Sequence, residues 1–132
     1  MSARILIVED EILVALELEN ILEDLGHEPV GIVPDVQAAE LYFDEDLDLA
    51  LVDLNLRDGL TGPQIGRRLG EQGVTVVFIT ANPGLLGSGV AGAIGVITKP
   101  TDENTVKAAV DYALGMREGR SVNPPPALRL FG

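Results

Sequence analysis

Leu49-Ala50-Leu51-Val52-Asp53 is a run of four apolar residues that ends in a carboxylate. Nothing in it alternates polar with apolar, so a strand here has both faces buried, as in a parallel sheet covered by helices. Four more runs read the same way: Ile5-Leu6-Ile7-Val8, Val30-Gly31-Ile32-Val33, Val74 to Ile79, and Ile94-Gly95-Val96-Ile97. All are near strand length, and most are rich in β-branched residues.

Helical periods separate the runs. Within residues 11–25, Val14, Leu18, Ile21 and Leu25 share a stripe, and Gly26 follows as a C-terminal cap. Asp35 is placed to cap a short helix through Ala38, Ala39 and Leu41. Pro63 suits the first turn of a helix carrying Ile65 and Leu69. Val106, Ala109, Val110, Ala113 and Leu114 give the last helix its core stripe, with Asp102 and Glu103 at its positive end. Residues 83–95 hold five glycines, each costing about 1 kcal/mol in a helix interior, which predicts a short, frayed element or a plain loop there. The resulting (βα)5 pattern is an α/β fold, a doubly wound three-layer sandwich on a five-stranded parallel sheet of order 2-1-3-4-5, which is flavodoxin-like.

The chain has 132 residues and a formal net charge of −12, from 21 acidic and 9 basic residues. That length fits one domain, and the charge disfavours direct contact with nucleic acid or an anionic membrane. Zero cysteines exclude disulfides and thiolate chemistry, and fit a cytoplasmic protein. No apolar stretch approaches the roughly 20 residues that span a bilayer. A single histidine, His27, excludes a histidine triad or a multi-histidine metal site; it is expected exposed at a helix end.

In doubly wound folds the site lies beyond the carboxyl ends of the strands. Those ends carry Glu9-Asp10, Asp53, Thr80 and Lys99-Pro100. Two carboxylates about 4 Å apart repel by about 4 kcal/mol at an effective dielectric of 20, so three together need a counter-charge. A hard cation such as Mg2+, which takes a few carboxylates and keeps waters, meets that need, and a hydroxyl and an ammonium opposite it suit phosphoryl oxygens.

In that order, Glu9-Asp10, Asp53, Thr80-Ala81 and Lys99-Pro100 resemble the receiver domain of bacterial two-component response regulators, over about residues 3–118. The runs at 53–59 (Asp-Leu-Asn-Leu-Arg-Asp-Gly) and 78–83 (Phe-Ile-Thr-Ala-Asn-Pro) are similar to receivers of alphaproteobacterial general-stress signalling. The resemblance implies that Asp53 accepts a phosphoryl group from a phosphohistidine on a sensor histidine kinase or a histidine phosphotransfer protein. It implies Mg2+ held by Glu9, Asp10, Asp53 and the main-chain carbonyl of Asn55, with Thr80 and Lys99 on the phosphoryl oxygens. Asn55 and Asn82 fall where the family tunes dephosphorylation. Residues 1–118 then form the receiver and 119–132 a Pro-containing tail with no output domain. The product is a signalling module rather than an enzyme, with self-phosphorylation and self-dephosphorylation chemistry of its own. Its output passes through an unidentified protein target or onward phosphotransfer, and self-association into a homodimer is left open.

Departures accompany the matches. Val96 stands where many receivers carry a switching aromatic, and Leu56-Arg57 replaces a common Met-Pro. Together with the glycine-rich segment, these suggest a readout in which phosphorylation orders residues 81–95. The tail, with Pro124-Pro125-Pro126 before Ala127-Leu128-Arg129-Leu130-Phe131-Gly132, is expected as a disordered terminus, the commoner outcome, or docked on a sheet edge, a second copy or a partner. Tyr112 and Ala108 are expected on the outer face of the last helix. Ile12, Leu13 and Leu16 are read either as core or as a kinase-docking patch. A scaffold that binds partners without phosphorylation is the competing function. Dinucleotide, P-loop, calcium-loop and dehalogenase-type phosphatase sites fail on residue identity: the first strand is followed by Glu9-Asp10-Glu11, not glycines or Asp-x-Asp.

Overall fold

The computed structural model describes residues 2–131. In chain order the elements are β1 (Arg4–Val8), α1 (Ile12–Asp24), β2 (Glu28–Val33), α2 (Val36–Glu40), β3 (Leu49–Val52), α3 (Gly62–Glu71) and β4 (Thr75–Thr80). A 3₁₀ turn (Pro83–Leu86), β5 (Ala93–Thr98), α4 (Glu103–Arg117) and β6 (Leu128–Leu130) complete them. The sheet order is β2-β1-β3-β4-β5-β6. The first five strands are parallel in the anticipated order, and β6 adds an antiparallel sixth at the β5 edge.

Strand alternation sorts the apolar runs into two cores. Ile5, Ile7, Leu49, Leu51, Val77, Ile79 and Ile97 face one way, against Leu18, Ile21 and Leu22 of α1 and Val106 and Val110 of α4. Leu6, Val8, Ala50, Val52, Val76, Phe78 and Val96 face the other way, against Ala39 of α2 and Ile65 and Leu69 of α3. Each fully buried Leu, Ile or Phe contributes about 1.5–3 kcal/mol relative to exposure.

Helix ends follow local chemistry. Asp35 Oδ1 accepts from the Ala38 N–H at 2.9 Å and Asp102 Oδ1 from the Thr105 N–H at 2.7 Å, so both aspartates cap. Gly26, at φ +84°, takes the left-handed conformation just past α1. Where sequence left a fourth crossover helix in doubt, one 3₁₀ turn remains, followed by turns at Gly87-Ser88 and Ala91-Gly92.

The tail docks rather than fraying. Pro124-Pro125-Pro126 carries the chain past α4, the Leu128 N–H donates to the Pro125 carbonyl at 3.1 Å, and β6 then pairs with β5. Tyr112 is accordingly not on an outer face. It is 8% exposed and belongs to the α1–α4 core, against which Val122 of the tail packs. Ile12, Leu13 and Leu16 are exposed and contribute nothing to the core. His27 is half-buried, and its Nδ1 accepts from the Ala3 N–H at 3.1 Å.

Candidate functional site

Register brings the strand ends to one edge. Val8 lies opposite Val52, Val52 opposite Phe78, and Phe78 opposite Val96; β1 and β3 end at that row, releasing Glu9 and Asp53, while β4 and β5 run two residues further, to Thr80 and Thr98, before Lys99. The backbone continues the ladder: Asp53 N–H donates to the Val8 carbonyl at 2.9 Å and Lys99 N–H to the Thr80 carbonyl at 2.8 Å. The Lys99–Pro100 peptide is cis.

Lys99 Nζ sits between two buried carboxylates, 2.7 Å from Glu9 Oε1 and 2.9 Å from Asp53 Oδ2. Glu9 is 3% and Asp53 7% exposed. The second Asp53 oxygen accepts from the Leu54 N–H at 2.7 Å, and Glu9 Oε2 accepts from the Glu11 N–H at 3.2 Å. Burial pushes Glu9 above the usual glutamate range, against the opposing pull of Lys99 and the Glu11 amide. Burial on its own would lower Lys99, but the bonds to Glu9 and Asp53 outweigh it and hold the ammonium above its ordinary value.

Glu9, Asp10 and Asp53 each present an oxygen within 4.8 Å of the others. Asp10 is exposed and caps nothing, because Glu11 is the N-cap of α1. The donor set is oxygen only, carboxylate-rich and open on one side, which fits a hydrated Mg2+ better than a soft or fully enclosed metal. Thr80 is fully buried, and its Oγ1 accepts from the Asn82 N–H at 3.1 Å. Asp10, Asp53, Asn55, Thr80, Asn82 and Lys99 line one cavity of about 280 Å³. Of the side chains singled out from the strand ends, Asp10, Asp53, Thr80 and Lys99 thus meet at one opening, and Glu9 joins them through its bond to Lys99.

Of the supporting residues, Gly62, Asp58 and Thr61 were not singled out from sequence. A Cβ on Gly62 would lie 1.9 Å from the Asp53 carbonyl oxygen, so only glycine lets the start of α3 press on the Asp53–Leu54 backbone. Arg57 binds Asp35 through two nitrogens, and Asp58 accepts from both the Val36 N–H and the Thr61 hydroxyl. Those contacts tie the loop bearing Asn55 to α2. Asp-x-x-Thr spacing at 58–61 was the available signal for the second of them.

The family model for the response regulator receiver domain matches residues 5–111. This chain is a response regulator receiver. The receiver is 36% identical over 119 residues to the phyllosphere-induced regulator PhyR of Methylorubrum extorquens, covering 86% of this chain and 44% of that protein. It spans less than half the length of that curated relative. It superposes on the solution structure of the Erythrobacter litoralis PhyR receiver domain with a TM-score of 0.78 and 33% identity, covering 92% and 97% of the two chains. For the anti-anti-sigma factor PhyR of Bartonella quintana the TM-score is 0.76 at 30% identity, over 90% of this chain and 50% of that one. The receiver is therefore PhyR-like, a signalling module of the two-component class. Among the described residues, no helix is long and apolar enough to cross a membrane.

Proposed function

We propose that Asp53 of this receiver is the phosphoacceptor of a histidine kinase or histidine phosphotransfer protein. One observation carries the reading: Lys99 Nζ bridges Glu9 and Asp53 at the floor of a cavity that also holds Asp10, Asn55 and Thr80. An Asp53 carboxylate oxygen attacks the donor phosphorus. The P–N bond to the imidazole breaks as the P–O bond forms, and the imidazole leaves with the electron pair. Lys99 moves from Asp53 onto the phosphoryl oxygens, and the Thr80 hydroxyl turns to donate to them. Glu9, Asp10, Asp53 and the Asn55 main-chain carbonyl would hold Mg2+, whose role is to neutralise charge on the transferring group. Hydrolysis runs through the same opening, with Asn55 and Asn82 on its rim.

Ile12, at 60% exposure, and Leu13, at 78%, lie on the first turn of α1 directly after Glu9–Glu11, and they are the face offered to the kinase in the cytoplasm. By likeness to the anti-anti-sigma factor PhyR, the module works in a stress-type circuit of that kind. Its output is a protein contact or onward phosphotransfer.

Intact-protein mass spectrometry after incubation with acetyl phosphate and Mg2+, and with a phosphorylated kinase, tests this. Wild type should gain one phosphoryl group and Asp53→Asn none. If neither donor labels wild type, the scaffold reading replaces this one.

A further inference from the structure

The β5 edge is a built seat, and the chain's own tail fills it. β6 contributes three residues, pairing Leu128 with Ile97, Arg129 with Val96 and Leu130 with Gly95. The Phe131 N–H adds a bond to the Ile94 carbonyl at 3.0 Å. Gly95 is required for this approach, since a Cβ there would lie 2.5 Å from the Arg129 carbonyl oxygen. Leu128 is buried, and the Phe131 ring lies 6.3 Å from that of Phe78 and against Gly89. Phe131 joins the cluster containing Val96, so an aromatic ring reaches that side of the sheet from the tail rather than from β5 itself.

A hydrogen-bonded path runs from this seat to the Asp53 cavity. Arg129 donates to the Pro83 and Gly87 carbonyls, each at 3.2 Å, and so clasps both ends of the 3₁₀ turn. Asn82 begins that turn: its carbonyl accepts from the Leu85 N–H at 3.1 Å, and its own N–H donates to Thr80 Oγ1. The clasp means that residues 83–87 are not awaiting order, as sequence suggested, but are already held.

We propose that the β5 edge is a strand-docking site for an extended basic-apolar segment of a partner, plugged by residues 128–131 at rest and vacated when Asp53 is phosphorylated. This rests on the phosphoacceptor reading above. When the Thr80 hydroxyl turns toward a phosphoryl group, the Asn82 N–H loses its acceptor and the turn shifts. The two carbonyls under Arg129 shift with it. Three residues of pairing are too few to hold β6 unaided, since even a two-stranded hairpin is marginal in water. The vacated edge offers open main-chain groups beside apolar side chains, the arrangement that takes an added strand. The tail is the template for its ligand: leucine, a cation, leucine, phenylalanine. A cation also suits a chain of net charge −12.

Hydrogen exchange on the full chain, with and without Mg2+ and fluoroberyllate as phosphoryl mimic, tests the release. Amides of Arg129 and Phe131, whose N–H groups face β5 in the alternating antiparallel ladder, should exchange about tenfold faster or more with the mimic. A fluorescent peptide of sequence Ala-Leu-Arg-Leu-Phe-Gly should bind only then. Arg129→Ala should speed exchange of the Phe131 amide without any mimic. If the Thr80 and Lys99 amides respond to the mimic while the tail amides do not, the inference is overturned and the phosphoacceptor reading stands. If the tail opens but the peptide stays unbound, or Arg129→Ala leaves tail exchange unchanged, it is likewise overturned. If the Thr80 and Lys99 amides show no response, the phosphoacceptor reading fails and takes the inference with it.

Discussion

Lys99 is the residue on which the site's electrostatics turn. Without it, Glu9 and Asp53 are two buried carboxylates facing each other with no cation between them. Removing one partner of a buried ion pair costs about 3 kcal/mol or more. Lys99→Ala should therefore melt well below wild type in a chelator, and Mg2+ should raise its melting temperature more than it raises wild type's. Equal Mg2+ shifts in the two proteins would argue against a cation shared by those carboxylates. Gly62 makes a second case. Gly62→Ala forces a methyl onto the Asp53 carbonyl and should cost about 1–3 kcal/mol in urea titrations, with slowed phosphorylation by acetyl phosphate. The five strand-end side chains were legible in the sequence because each stands where an apolar run stops. Gly62 was not, because a close backbone approach leaves no periodic trace.

At the scale of elements, the caps and the loop tie are acid-sensitive. The Ala38 amide, followed by Arg57, holds the Asp35 carboxyl below the usual aspartate range, and the Thr61 hydroxyl does the same for Asp58. The Thr105 amide lowers Asp102. A depressed carboxylate contributes stability that is complete above the unfolded-state value, about pH 4, and is lost as pH falls through the folded value. Urea midpoints should thus fall between pH 5 and pH 2.5, and Asp35→Asn should show a shallower fall from a lower start. A slope matching wild type would remove Asp35 from the acid response. The five parallel strands were readable from unbroken apolar runs, the helices from their period, and the Asp35 cap from capping chemistry; Asp102 was read only as a charge at the helix's positive end. The 3₁₀ turn was half-readable: glycine content argued against a helix, but what holds the turn is Arg129, more than 40 residues away.

For the whole molecule, a net charge of −12 on 132 residues means self-repulsion in the folded state. Surface charges more than about 10 Å apart are largely screened at 0.1 M salt, so the melting temperature should rise from low salt to 0.2 M NaCl. A melting temperature that falls over that range would show that surface ion pairs such as Arg4–Glu45 and Arg68–Glu40 dominate instead. The five-strand parallel order was legible because topology rules leave few ways to arrange four crossovers. The sixth strand was only half-legible, because sequence left the tail either disordered or docked at a sheet edge, and the burial of Tyr112 was missed. That burial has an optical consequence. The chain has no tryptophan and only two tyrosines, so emission excited above the phenylalanine band comes from Tyr42 and Tyr112 alone. One of the pair lies in the core beside Val122 of the tail, which gives the unmodified protein a built-in fluorophore for following that segment in real time.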